Sequence, residues 1–314
     1  MGDKKEFSLV TVNMLTYKKF DYLEAALNSV FAQDYPNIEI IISDDGSPNF
    51  YKEYIENILN KKTNNIKNVQ IIHHDVNLGI VKNLNNCIKL SSGKYFIGLS
   101  SDDMFADERV ISDVVNYFEK SSAFIITSKR AVFENNLNDY KVLPEQKDIQ
   151  YFYNDKLFQR LVIGNFISGA CTFYSKELFK KMGLFDEEYI LLEDYPYYLF
   201  LARNNIKFHF LDRITVFHRL GGISNSKKIN PVLKKDSLLA IKKEILPYPE
   251  LINKKLYQYK QFQLELAKSK NKISLKMFRK YPILYTKKIL EKVGLYNFLS
   301  LENQLQGDKN EQKN

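Results

Sequence analysis

Residues 95 to 103 read Tyr95-Phe96-Ile97-Gly98-Leu99-Ser100-Ser101-Asp102-Asp103, an apolar run that ends in two adjacent carboxylates. A second run, Ile38-Glu39-Ile40-Ile41-Ile42-Ser43, closes in the same way on Asp44-Asp45-Gly46-Ser47. Short runs rich in Ile, Val and Phe read as strands covered on both faces, the form that parallel strands take beneath crossover helices. In an open α/β sheet ligands gather outside the carboxyl ends of the strands, so both acidic pairs are expected to face one crevice. Gly46 permits the sharp turn that would present Asp44 and Asp45 to it.

The same alternation continues on either side. Phe7 to Leu15, Val69 to His73 and Ala123 to Ser128 read as further strands of this buried kind. Between them Phe20, Leu23, Leu27, Val30 and Phe31 keep helical spacing, as do Tyr51, Tyr54, Ile55, Ile58 and Leu59, then Val81, Leu84 and Ile88, then Val110, Val114 and Phe118. Strands alternating with amphipathic helices predict an α/β fold with a mostly parallel central sheet flanked by helices. The pattern loosens through Asn135 to Asp139, then resumes with a strand from Ala170 to Ser175, a helix from about Glu193 to Asn205, and two short strands, Lys207 to Leu211 and Ile214 to Phe217. From Asn230 the reading is mostly helix, broken at Pro231, Pro247, Pro249 and Pro282, with a charged tail from Gln306 that reads as disordered.

The chain has 314 residues, 45% apolar and 14% aromatic, which excludes wholesale disorder and leaves room for an appendage beside a main domain. Its net charge of +9 is unevenly spread: residues 1–226 carry 26 Lys+Arg and 29 Asp+Glu, whereas 227–314 carry 20 and 8. The expected organisation is a main domain over 1–226, divided near residue 105, then a basic helical region over 227–305 and a tail over 306–314. Cys87 and Cys171 have neither metal-ligand spacing nor a disulfide framework, which fits a reducing cytoplasm. The start lacks the apolar stretch of a secretory signal and no segment is long and apolar enough to span a bilayer, so membrane contact is expected to be peripheral. Lys234-Lys235, Lys242-Lys243, Lys254-Lys255 and Lys287-Lys288, with Lys227-Lys228, are interleaved with Tyr, Leu and Phe. Such helices suit a solvated face, an anionic membrane surface or a second subunit. Nucleic-acid binding is not expected, because no helix-turn-helix, zinc or aromatic-strand signature accompanies the charge.

Acidic strand ends suit a hard divalent cation, Mg2+ or Mn2+, which one or two protein carboxylates hold together with substrate phosphate oxygens. That chemistry implies a nucleotide diphosphate. A third pair, Glu193-Asp194, follows the apolar Tyr189-Ile190-Leu191-Leu192 and opens a helix. The positive helix end and the apolar neighbours push the proton affinity of such a carboxylate in opposite directions.

Taken in order, Thr16-Tyr17, Asp44-Asp45-Gly46-Ser47, Asn77-Leu78-Gly79 with Asn85, Ser92-Gly93-Lys94-Tyr95, Asp102-Asp103, Gly183-Leu184-Phe185-Asp186 and Glu193-Asp194 follow the succession seen in glycosyltransferase family 2. The chain resembles these inverting enzymes of GT-A fold over about residues 7–225. The resemblance implies a metal-dependent transfer of a sugar from a nucleotide-diphosphate donor, usually UDP-linked, to a hydroxyl of a glycan or lipid-linked glycan in bacterial surface polysaccharide or glycoconjugate synthesis. Donor contacts fall to Thr16, Tyr17, Asp44, Asp45, Lys82, Asn85, Ser101, Asp102 and Arg219. Asp103 is expected to coordinate the metal, with Asp102 and His218 able to complete the site, and Asp194 to act as general base, oriented by Glu193. His73 and His74 read as structural.

The chain departs from the family's pattern at Leu15, where Pro is frequent, at Lys18, where Asn is frequent, at Ser100, where a further Asp is frequent, and at Leu84, where Arg is frequent. Ser100 removes a potential ligand, and Lys82 stands about one helical turn from Asn85 as a replacement charge. A sugar-phosphate nucleotidylyltransferase would need a glycine-rich basic loop after the first strand, where this chain has Met14-Leu15-Thr16-Tyr17, and a dehydrogenase would need Gly-x-Gly-x-x-Gly. The competing expectation is a degenerate member of the family that binds a nucleotide sugar or glycan without turnover. Sugar, acceptor and linkage depend on loops around 135–170 and 195–225.

Overall fold

The structure, a computed structural model, describes residues 6–221, 230–269 and 275–292. Gly222 to Ser224, the doublet Lys227-Lys228 and the tail from Gln306 lie outside the described residues. One nine-stranded sheet organises the first of two compact units. Its strands are β1 (Val10–Thr16), β2 (Ile38–Asp44), β3 (Ile66–His73), β4 (Tyr95–Gly98), β5 (Met104–Phe105), β6 (Ile125–Phe133), β7 (Tyr140–Leu143), β8 (Thr172–Ser175) and β9 (Phe208–Arg219). They lie in the order β3-β2-β1-β4-β8-β6-β9-β5, with β7 also paired to β6.

The run β3-β2-β1-β4 is parallel throughout. β8 enters antiparallel between β4 and β6, so its beginning stands beside the end of β4, with Phe173 opposite Ile97. β9 then returns parallel to β6, and β5 and β7 are antiparallel to their neighbours. Six strands therefore point one way and three the other.

Strand residues of one parity, Val10, Val12, Met14, Ile38, Ile40 and Ile42, pack against α1 (Leu23–Phe31), α2 (Lys52–Leu59) and α4 (Val110–Lys120) in one buried core. Each fully buried aliphatic side chain contributes about 1.5–3 kcal/mol relative to exposure. The opposite face meets α3 (Ile80–Leu90), where the Ser43 hydroxyl donates to Asn83 Oδ1 at 2.6 Å. Phe96 of β4 turns to that side too, edge-on to Phe179 of α7 (Lys176–Met182), which packs with Tyr174, Phe185 and Tyr197 of α8 (Asp194–Arg203).

Three expectations are corrected. Val69 to His73 is half-exposed rather than covered on both faces, because β3 is an edge strand. Tyr51 and Tyr54 are exposed, and only Ile55, Ile58 and Leu59 of α2 enter the core. The two short strands around 207–217 are one strand, β9, whose register slips at Asp212-Arg213 and again near Thr215. The bulge turns Arg213 toward Asp107 and Asp113, with which it forms ion pairs.

The second unit comprises residues 156–165 and 237–314. Among its described residues α6 (Leu157–Ile163), α10 (Lys254–Lys268), α11 (Leu275–Lys280) and α12 (Pro282–Lys292) are helical. Phe262, Met277, Tyr281 and Tyr285 form a small core there, and the Lys260 ammonium donates to the Ile163 carbonyl at 3.4 Å. Pro282 starts α12 at the position where a missing N–H costs nothing. α9 (Pro231–Ala240) spans the divide, which falls after Asp236.

Candidate active site

Because β1, β2 and β4 are parallel neighbours, the segments that leave their carboxyl ends emerge at one edge of the sheet. Thr16 stands opposite Asp44, and Leu99 donates its N–H to the Asn13 carbonyl, so the 44–47 and 100–103 turns flank the end of β1. β8 runs the other way, which brings its leading residues 169–172 to the same edge. The amide of Gly169 donates to Asp194 Oδ2 at 3.3 Å. All three acidic pairs therefore belong to one edge of one sheet.

The first pair is committed to structure. Asp44 is fully buried, and Oδ1 accepts from the hydroxyls of Thr16 at 3.0 Å and Ser47 at 2.6 Å. Its Oδ2 accepts from the Ser47 amide at 2.8 Å and lies 2.9 Å from His73 Nδ1, whose ring stacks on Phe50. Asp45 accepts the amides of Leu78 at 2.7 Å and Gly79 at 3.1 Å, which fixes the turn that opens α3. Gly46 takes φ +77°, and a Cβ there would lie 2.6 Å from the Val76 carbonyl carbon. Tyr17 is 40% exposed beside this turn, with the Lys18 ammonium over its ring.

At the second pair, Asp103 is fully buried, with Oδ1 accepting the Arg219 amide at 2.9 Å and Oδ2 3.0 Å from His218 Nδ1. Asp102 is half-buried beside it. Burial raises its pKa and the charge of Asp103 adds to the rise, while His218 and Lys19 oppose it. The Arg219 guanidinium lies 3.9 Å from the Tyr22 ring centre and 4.6 Å from that of Phe133. Its buried Nε has no hydrogen-bond partner among the described residues. Cation–π stacking holds the charge in place without consuming its donors.

The third pair starts α8. Asp194 Oδ1 accepts the Tyr195 amide at 2.6 Å, and the buried Tyr198 and Tyr174 hydroxyls, 3.1 Å apart, fasten α8 to β8 behind it. Glu193 is pushed up to about 8, first by burial and then by the charge of Asp194. Glu193 thus holds its proton near neutrality. Gly169 leaves room here, since a Cβ would approach Glu193 Oε1 to 3.5 Å.

Of the residues expected to meet the donor, Thr16, Tyr17, Asp44, Asp45, Ser101, Asp102 and Arg219 belong to segments at this edge. Lys82 is exposed on α3. Asn85 is buried, and its amide donates to the Phe185 carbonyl at 2.8 Å and to Glu187 Oε1 at 3.0 Å while accepting from the Phe185 amide. It is a strut that joins α3 to the 183–187 turn. Four residues were not foreseen: Tyr22 and Phe133, which sandwich Arg219, His73, which partners Asp44, and Asp236, which accepts the amides of 190–192. No spacing rule marks them, because each acts across a long sequence separation.

Among the described residues no group of three or more His, Cys, Asp or Glu side chains is arranged to hold a metal ion. The chemistry of the donors nonetheless suits one. Two carboxylates and an imidazole are hard or borderline ligands for Mg2+ or Mn2+. Each Asp103 oxygen retains a lone pair beyond the hydrogen bond it accepts.

Comparison with known proteins places this geometry. The family model described as glycosyl transferase family 2 matches residues 11–183. An uncharacterised glycosyltransferase of Rickettsia typhi is 28% identical over 203 residues, 64% of this chain and 61% of that protein, so the chain spans about three fifths of this relative's length. One from Haemophilus influenzae is 26% identical over 255 residues, covering 76% of this chain and 74% of the relative. WcaA of Escherichia coli, which carries the name of a colanic acid biosynthesis glycosyl transferase, is 27% identical over 203 residues, 62% and 66% of the two chains. Among solved structures, S. aureus TarS 1-349 in complex with UDP-GlcNAc superposes with a TM-score of 0.60 at 19% identity, covering 82% of this chain and 71% of that one. The likeness in structure shows the GT-A fold. With the family match extending over more than half of its residues, the chain belongs to glycosyl transferase family 2.

Proposed function

We propose that the protein is an inverting glycosyltransferase that moves a sugar from a nucleotide-diphosphate donor, a UDP-sugar first among candidates, to a hydroxyl of a glycan or lipid-linked glycan. The observation that carries this reading is the gathering of Asp44-Asp45, Asp102-Asp103 and Glu193-Asp194 at one sheet edge. Tyr17, exposed beside the turn that Thr16, Asp44 and Asp45 brace, receives the base, Ser101 and Asp102 lie toward the diphosphate, and the Arg219 guanidinium, held by Tyr22 and Phe133, supplies countercharge to the departing group. Asp194 takes the proton of the acceptor hydroxyl as its oxygen bonds to the anomeric carbon from the face opposite the donor phosphate. The carbon–phosphate-oxygen bond breaks with its electron pair leaving on the nucleoside diphosphate, and the configuration inverts. Glu193, holding its proton, orients the acceptor without competing for that of the nucleophile. Asp102, Asp103 and His218 would hold Mn2+ or Mg2+, which when bound supplies countercharge to the diphosphate.

The test is a panel of nucleotide sugars with Mg2+ or Mn2+, read as donor hydrolysis without acceptor and as transfer to glycan acceptors. Turnover of one donor with inversion supports the proposal. Binding without any turnover across the panel overturns it in favour of a non-catalytic member of the family, for which Ser100 in place of an acidic residue is the supporting observation.

No helix among the described residues is long and apolar enough to cross a membrane. We extend the proposal to peripheral docking at the cytoplasmic face of a bacterial membrane through the second unit. Met277, Tyr281 and Tyr285 face its core, whereas Leu275, Phe278 and Ile283 are exposed among Lys276, Arg279 and Lys280. Apolar anchors with a basic surround complement an anionic lipid surface.

A further inference from the structure

Asp236 lies in α9 with 1% of its surface exposed, while its neighbours Lys234 and Lys235 are exposed. Its partners are amides. Oδ2 accepts from Ile190 at 2.9 Å, Leu191 at 2.7 Å and Leu192 at 3.2 Å. Three consecutive N–H groups converge on one oxygen only when the backbone curves into a concave nest, and a buried carboxylate is tolerated when so satisfied. The segment held this way runs directly into Glu193 and Asp194.

Ile190 is gripped from the other side as well. Its carbonyl accepts the Val81 amide at 3.3 Å, and it presses on Gly79 so closely that a Cβ there would lie 2.8 Å from Ile190 Cγ2 and 3.1 Å from its oxygen. Gly79 in turn donates to Asp45. A continuous set of contacts therefore runs from the turn assigned to the donor base, through Gly79 and Ile190, to Asp236.

We propose that Asp236 is a positioning residue for the transfer: by gathering the amides of 190–192 it fixes the backbone that carries the Glu193-Asp194 pair and registers that pair against the donor-side turn. This inference rests on the reading of Asp194 as the base. Asp236 itself touches neither donor nor acceptor. Its effect is on geometry, and a displacement of about 1 Å at a reacting group costs on the order of a hundredfold in rate.

The experiment compares the wild-type chain with Asp236→Asn, which keeps size but loses charge, and Asp236→Ala. Donor hydrolysis or transfer gives kcat and donor KM, and hydrogen exchange reports the amides of 190–192. The expected result is a fall in kcat of about 10- to 100-fold with donor KM within about threefold, the Ala variant being the worse, together with lost protection confined to the 190–192 amides. If the Ala variant does not fold, the Asn variant decides. An unchanged kcat in folded variants overturns the inference, as does a loss matched by equally weakened donor binding. A wild type without turnover on any nucleotide sugar instead overturns the underlying reading, and this inference with it, so the two failures are told apart by the wild-type lane.

Discussion

Asp194 accepts the amides of Gly169 and Tyr195, whereas burial governs Glu193, and each carries a prediction of its own. Asp194→Asn is expected to retain donor affinity and to lose transfer by about a hundredfold or more, as removal of a general base does; direct donor binding measured beside kcat checks it. Glu193 has a folded pKa near 8 against an ordinary value of 4.5, so the folded chain binds its proton more tightly than the unfolded chain. The corresponding stabilisation is complete below about pH 4.5 and is lost as pH rises through about 8. Glutamine cannot ionise, so Glu193→Gln should gain on the wild type in thermal stability as pH is raised from 5 to 8.5, and a constant difference would count against this environment. That acids close three apolar runs was legible in the sequence, because strand and charge patterns are local. That Asp44 is spent on Thr16, Ser47 and His73, while Asp45 holds Leu78 and Gly79, was not, since those partners are set by which strands lie side by side.

Elements were legible where periodicity was strong and illegible where pairing decided. β1, β2, β4 and the helices α1, α3 and α4 follow from apolar spacing alone. The two-residue β5 and the hairpin partner β7 carry no such signal, and β9 reads as two strands because its bulge interrupts the alternation. The turn after β1 shows why the family's frequent Asn after Thr-Tyr has a physical basis. Lys18 has φ +62°, a region that asparagine tolerates and lysine does not favour, and its amide donates to the Ser47 hydroxyl. Lys18→Asn should therefore stabilise the chain by about 0.5–1 kcal/mol in chemical denaturation, with donor affinity retained. A destabilised variant would mean that the Lys18 side chain over Tyr17 outweighs the backbone gain.

At the scale of the molecule the charge asymmetry was plain in the sequence, but the division of the chain was not. Helix α6, far upstream, belongs with the C-terminal helices because its residues pack there rather than on the sheet. If the second unit docks on lipid, the full chain should bind vesicles of anionic phosphatidylglycerol and not those of neutral phosphatidylcholine. Binding should weaken with salt, and joint replacement of Leu275, Phe278 and Ile283 by Ser should abolish it. Equal binding to both vesicles, or none, would redirect those apolar side chains to a second copy of the chain. The place of Asp236 bears on how the molecule can be dissected. A cut where the basic composition begins, near residue 226, would remove the carboxylate that gathers the 190–192 amides, whereas a cut past α9 would spare it. A shortened enzyme that fails at 226 and survives at 241 would report a lost internal brace rather than a lost membrane anchor.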